Sequence, residues 1–192
     1  PLLSLPLAFK TTLATIPSNH AYLKSDFEKV TMWSKKLGAK TQPRIGIAWT
    51  GNSEHENDHN RSIELSSFIE YLPDGYEYVS LQKEIRNVDK AALVASPRLK
   101  HFGDQISDFS DTAALCDLMD LVISVDTSVA HLSGALGKAT WVLLPYMPDW
   151  RWLLDRDDSP WYSTIKLYRQ DETREWRNVF ERINADLLLR SQ

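Results

Sequence analysis

With 192 residues, 43% of them hydrophobic, the chain has enough apolar material for one well-filled core, or a core with an appendage. A net charge of −4 with no basic block argues against nucleic acid as a partner and makes any anion site a local one. The single cysteine, Cys116, excludes an internal disulfide and a cysteine-based zinc site, and no apolar run is long enough to span a membrane. The start is apolar but carries two prolines and no preceding basic residues, so a signal peptide is not expected. The chain begins at Pro1 and not at Met, and the expectation is a cytoplasmic piece of something longer.

Residues 1–24 carry Pro1, Pro6 and Pro17 without a clear period and predict an extended connector. Ser25 and Glu28 have capping-box spacing for a helix that points Phe27, Val30, Trp33 and Leu37 inward and stops at Gly38. After a break at residues 41–43 an alternation begins. A first strand over 45–49 leads into a long polar loop, 51–61, and then a helix over 65–71. A turn at 73–75 precedes a second strand over 78–82. A helix over 88–95, a short strand over 99–102 and a helix over 109–119 follow, the last capped by Asp108 or Ser110. Cys116 falls in the apolar pattern of that helix and reads as packing. Residues 121–125 and 140–144 are the fourth and fifth strands, 165–168 a sixth, and 173–189 a final helix with Trp176, Val179, Phe180, Ile183 and Leu187 along one side.

The most informative stretch is LVISVDTSVAHLSGALGK, residues 121–138. A β-branched strand ends at Asp126, and a helical pattern follows with Val129, Leu132 and Leu136 on one face. Gly137 is placed to stop the helix, with Lys138 beside its negative end. Ala130, Ser133 and Gly134 give a thin flank able to approach the sheet. Strands alternating with helices predict an α/β fold, a doubly wound, mostly parallel sheet with its switch point between strands one and four. Two polar loops then meet at that point, residues 50–61 and 126–131, as a cradle for a diphosphate.

Each residue of that cradle has two readings. Asp126 is either a plain N-cap or a group turned to a sugar hydroxyl, since it would repel phosphate. Thr127 and Ser128 either open a helix or donate hydroxyl and backbone N–H bonds to phosphate. His131, one turn on, is a helix-face hydrogen-bonder or a ligand contact. Arg61 is a solvated charge or a bidentate partner for phosphate. Gln82 and Lys83 follow the second strand and point to the same edge, Lys83 as added charge or as an ordinary surface lysine. His55-Glu56-Asn57-Asp58-His59 matches a zinc-protease string, but it sits among loop-forming residues, without a third ligand, and no metal is expected. The segment 145–162 holds three tryptophans and three prolines and reads as an aromatic loop packed on the last helix that partly borders the site.

These residues resemble a known family. DTSVAHLSGALGK followed by WVLLP is similar to the Asp-Thr-x-x-x-His-Leu-x-x-Ala-Leu-Gly-Lys signature of glycosyltransferase family nine, the bacterial heptosyltransferase-like enzymes. IGIAWTGNSEHENDHNRSI, DFSDTAAL and PDWRWLLDRDDSPWY resemble the versions found downstream of tetratricopeptide repeats, and the likeness runs from about residue 43 to the C-terminus. PLLSLPLAFKTT resembles their lead-in. The resemblance implies a GT-B glycosyltransferase of two Rossmann-like halves, inverting and metal-independent, with no cofactor beyond its nucleotide-sugar substrate. Residues 43–192 would be the half that binds the nucleotide-sugar donor, and 1–42 a connector and helix left from the junction with an N-terminal half that carries the catalytic base. Carried over by position, Asp126, Thr127, Ser128 and His131 would contact donor diphosphate and sugar, while Asn52 and Arg61 would meet phosphate. Glu54, Glu56 and Asp58 make that loop more acidic than in many relatives. Partners implied are the donor and the missing half; the apolar lead-in of Leu2, Leu3, Leu5, Leu7 and Phe9 is expected either to fold back on the domain or to pair with a second copy of this chain. A nucleotide-binding scaffold without catalysis, or a sugar-nucleotide epimerase or hydrolase, remains open on the same fold.

Overall fold

The computed structural model describes residues 4–18 and 21–190. Its centre is a six-stranded, all-parallel sheet in the order β3-β2-β1-β4-β5-β6. The strands are β1 (Arg44–Ala48), β2 (Glu77–Ser80), β3 (Leu99–Lys100), β4 (Leu121–Val125), β5 (Thr140–Leu144) and β6 (Ile165–Arg169). The order reverses between β1 and β4, where Ile45 pairs with Leu121 and Ala48 with Ser124, so the switch point is where the alternation predicts it. Both central strands are buried along their whole length, as parallel strands covered on two faces must be.

Eight helices accompany the sheet among the described residues: α1 (Leu5–Ala8), α2 (Phe27–Leu37), α3 (Asp58–Arg61), α4 (Leu65–Ile69), α5 (Asn87–Val94), α6 (Phe109–Asp117), α7 (Ser128–Ala135) and α8 (Arg177–Arg190). One core layer joins Ile45, Ile47 and Ile123 to Phe68 of α4 and to Val179, Phe180 and Ile183 of α8. The opposite layer joins Val79, Leu81 and Val122 to Leu115 and Cys116 of α6 and to Trp33 and Leu37 of α2. Burial pushes the Cys116 thiol up to about 12, as a packed and unreactive sulfur requires.

Several local expectations are corrected. The lead-in is not extended: it forms α1 and a 3₁₀ turn at Leu13–Thr15, with Leu5, Leu7, Phe9 and Leu13 exposed, while Leu2 and Leu3 lie outside the described residues. The cap of α2 is Asp26 and not Ser25. The Asp26 carboxylate accepts from Lys29 N, which leaves Ser25 Oγ to donate to the Ala113 carbonyl. Phe27 then points to solvent at 82% exposure, while Trp33 is fully buried and donates its indole N–H to Asp111 at 3.0 Å. Of the two candidate caps for α6, Asp108 is used. The loop after β1 ends in the short helix α3, and His55 stands in a bend before it, so His55 and His59 do not share a helix. The last helix starts at Arg177, because Asp171 and Thr173 form a turn ahead of it.

Candidate functional site

The carboxyl ends of β1, β2 and β4 open into a cavity of about 720 Å³. Gly51, Asn52 and Arg61 line it from the loop after β1, Gln82, Lys83 and Arg86 from the loop after β2, and Thr127 and Ser128 from the start of α7. Ser107, Asp108 and Thr112, at the head of α6, close the remaining side. Six of the eight residues singled out from the sequence thus border one space. Asp126 and His131 do not, and form a neighbouring group described below.

The loop after β1 is shaped from beneath. Gln82 Oε1 accepts from Trp49 N at 2.8 Å and Thr50 N at 2.9 Å, and its amide nitrogen donates to Thr50 Oγ1 and to the Glu84 carbonyl. Gln82 therefore spends its side chain holding the loop. Asn52 Oδ1 accepts from Glu54 N in a local turn. Asp58 is buried and accepts from Arg61 Nε at 3.4 Å and from Arg86 Nη2. Burial pushes its carboxyl up, but hydrogen bonds from Arg86, Ser62 and Arg61 outweigh that, so it lies below its ordinary value and is ionised. Arg86 Nη2 also donates to the Gly51 carbonyl at 3.0 Å and Arg61 Nη1 to the Asp126 carbonyl at 2.8 Å. One carboxylate thus fixes two guanidinium groups, and Arg61 ties the first loop to the switch-point loop. A β-carbon on Gly51 would sit 2.6 Å from Arg61 Nη2 and 2.7 Å from Asp58 Oδ1, which is why this position is glycine.

Thr127, not Asp126, is the N-cap of α7, and its side chain makes no capping bond. Its hydroxyl lies 3.2 Å from Ser124 Oγ. By helix geometry the amides of Ser128 and Val129 have no carbonyl partner inside the helix and carry its partial positive charge. The helix can lie deep because its most buried side is Ala130, Ser133 and Gly134, with Val129 buried and Leu132 and Leu136 only partly so. Gly137 ends it at φ 72°, with Lys138 N returning to the Ser133 carbonyl. Lys138 Nζ goes elsewhere than expected. It donates to the Asp117 carbonyl at 2.7 Å and so serves the end of α6.

One turn into α7, His131 enters an aromatic group supplied by the tryptophan-rich segment. Its ring stacks on Trp152 at 5.0 Å, its Nδ1 is 3.2 Å from the Tyr162 hydroxyl, and its Nε2 is 3.9 Å from Asp126 Oδ1. Burial pushes the imidazole below 6.5 and Asp126 only partly restores it, so the ring is neutral near pH 7. Sequence reasoning missed Arg86, although it sits just beyond a strand end, the same signal that drew attention to Lys83. It also missed Ser107, Asp108 and Thr112, whose place at the cavity comes from the packing of α6. Among the described residues, no group of three or more His, Cys, Asp or Glu side chains comes together as a metal set, and no helix is long and apolar enough to cross a membrane.

A parallel sheet whose order reverses beside an anion-ready helix start and two guanidinium groups is a doubly wound α/β architecture. Solved structures give this fold a closer description. ADP-heptose LPS heptosyltransferase II of E. coli superposes with a TM-score of 0.63 over 88% of this chain and 54% of that one, at 15% identity. A glycosyl transferase family 9 protein of Veillonella parvula gives 0.53 over 78% and 42%, at 12% identity. The fold is therefore glycosyltransferase-family-nine, heptosyltransferase-like. In sequence, protein FlbA of Caulobacter vibrioides is 26% identical over 94% of this chain. The chain spans 31% of FlbA and about half of each of the two structures. No family model matches the chain.

Proposed function

We propose that residues 43–192 form the donor-binding half of an inverting, metal-independent glycosyltransferase, and that residues 1–42 belong to the junction with an acceptor-binding half. The single observation that carries the reading is the cavity at the switch point, where Arg61, Arg86 and the first amides of α7 converge. A diphosphate placed there would meet Thr127, Ser128 and the guanidinium groups, with its sugar end toward Asp126 and His131 on the next turn of α7. As the bond between anomeric carbon and phosphate oxygen breaks, negative charge accumulates on the nucleoside diphosphate. Fixed donors and the helix dipole stabilise that charge most when it is greatest, which lowers the barrier. Asp58 contributes by holding both guanidinium groups in place before the ligand arrives.

Calorimetry with ADP, GDP and UDP in the presence of a chelator tests the reading. Binding of at least one is expected. Binding of none, or only after magnesium or manganese is added, would overturn it. This chain by itself is expected to bind donor without transferring sugar, because acceptor positioning and the base would come from the other half. Efficient transfer by these residues alone would contradict that placement. A scaffold would bind without turnover even in the full-length protein, and an epimerase or hydrolase would turn over donor without acceptor.

A further inference from the structure

The group around His131 contains a chain of hydroxyls that reaches back to the start of the protein. Residues Tyr22 and Leu23 are pinned to the end of α7, both amides donating to the Ala135 carbonyl at 3.0 and 3.1 Å. This sets the Tyr22 ring against Tyr162, 6.5 Å between centroids and 25° between planes, with the Tyr22 hydroxyl donating to the Tyr162 hydroxyl at 3.4 Å. Tyr162 is wedged under α7 where a β-carbon on Gly134 would sit 2.7 Å from its ring. A phenol has one proton to give. With Tyr22 donating to it, the Tyr162 hydroxyl has its own proton free for His131 Nδ1, 3.2 Å away. A neutral imidazole that accepts at Nδ1 carries its proton at Nε2. On that side the Asp126 carboxylate, at 3.9 Å, is beyond hydrogen-bond reach. Trp152, fully buried and stacked on the imidazole, blocks one ring face, and the chain holds it there at the cost of a left-handed Leu153, φ 55°.

We propose that Tyr162, backed by Tyr22, is a positioning residue that fixes His131 as the Nε2–H tautomer, making it a neutral hydrogen-bond donor toward a ligand oxygen at the start of α7. The ligand part rests on the donor-binding reading above, with the oxygen being that of the phosphate nearer the sugar or of the sugar itself. A neutral donor suits this place. It can bind a phosphate oxygen without the proton that Asp126 would otherwise draw onto the ring, and it remains a donor through the neutral pH range. The tautomer itself is a property of the free protein and can be read without any ligand.

The test is nitrogen NMR of the labelled chain near neutral pH. His131 is expected to show an unprotonated Nδ1 and a protonated Nε2. Tyr162→Phe is expected to give a mixture of tautomers while the amide spectrum of the sheet is unchanged, and Tyr22→Phe a smaller change in the same direction. A protonated Nδ1 in the wild type, or an unaltered His131 signature in Tyr162→Phe, would overturn the relay. On the ligand side, Tyr162→Phe is expected to weaken binding of a nucleoside diphosphate sugar several-fold, and to have no further effect in a His131→Ala background. Equal losses in both backgrounds would assign Tyr162 to packing alone. If no nucleotide binds the wild type, the donor reading fails while the NMR result still decides the relay.

Discussion

Replacing Asp58 with Asn removes the charge on which both guanidinium groups of the site depend. The carboxylate is buried and accepts from Arg86 and Arg61. An asparagine keeps one acceptor but turns a second donor toward a guanidinium, so one charge-assisted bond is lost outright and the other is weakened. Such bonds contribute about 1.5–3 kcal/mol each. The relief of burying a charge returns part of this, leaving a loss of about 2–3 kcal/mol. For a chain of this size that is a fall in Tm of roughly 4–12 °C. Thermal unfolding followed by circular dichroism measures it directly. The same variant loses the carboxylate that holds both guanidinium groups in place, so added pyrophosphate should raise its Tm by less than it raises that of the wild type. A variant that melts with the wild type and responds to pyrophosphate like the wild type would refute the role given to Asp58.

Arg61→Ala is expected to weaken nucleoside diphosphate binding by about 1.5–3 kcal/mol, and because Arg61 also holds the Asp126 carbonyl, calorimetry should be paired with a circular dichroism spectrum that stays native. Gly134→Val would place its β-carbon 2.7 Å from the Tyr162 ring, an overpacking that should destabilise by about 1–3 kcal/mol in urea unfolding. Burial raises the Glu77 carboxyl but Arg44 and Thr41 outweigh it, taking it from 4.5 down to about 2 in the fold. Since this folded value is depressed, the stability it contributes is complete above 4.5 and is lost as pH falls toward 2. Between those limits the wild type should lose up to about 3 kcal/mol more than Glu77→Gln, at about 1.4 kcal/mol per unit, and parallel pH profiles for the two would contradict it.

The architecture was legible because its signals are local and repeated. Residues 121–125 and 140–144 are apolar, β-branched and short, with a helix-period segment and a stop glycine between them, so strand, helix and strand fall where the pattern predicts. The strand order is the doubly wound default that right-handed crossovers leave for such an alternation. What sequence did not reveal depends on partners far along the chain. Ser25 and Asp26 are both competent caps, and the choice between them is made by the Ala113 carbonyl that takes Ser25. Lys138 has a helix end beside it in sequence, yet the carbonyl it binds belongs to the preceding helix. Phe27 has helix-face spacing with Trp33, but α2 lies so that only Trp33 and Leu37 are fully buried. In the site, position in the loops that follow the strands located Asn52, Arg61, Gln82, Lys83, Thr127 and Ser128 at one cavity. The division of labour among them was not visible, since Gln82 and Asp58 turn out to be occupied in holding their neighbours.

A titration of the nitrogen-labelled chain with ADP, GDP or UDP, followed by amide chemical shifts, shows where the ligand sits. Changes are expected to concentrate at Gly51, Asn52, Arg61, Thr127, Ser128 and Val129, around the cavity where β1 and β4 part. Changes centred on the cavity formed by Arg169, Asp171 and Arg182 beyond β6, with the switch point undisturbed, would contradict it.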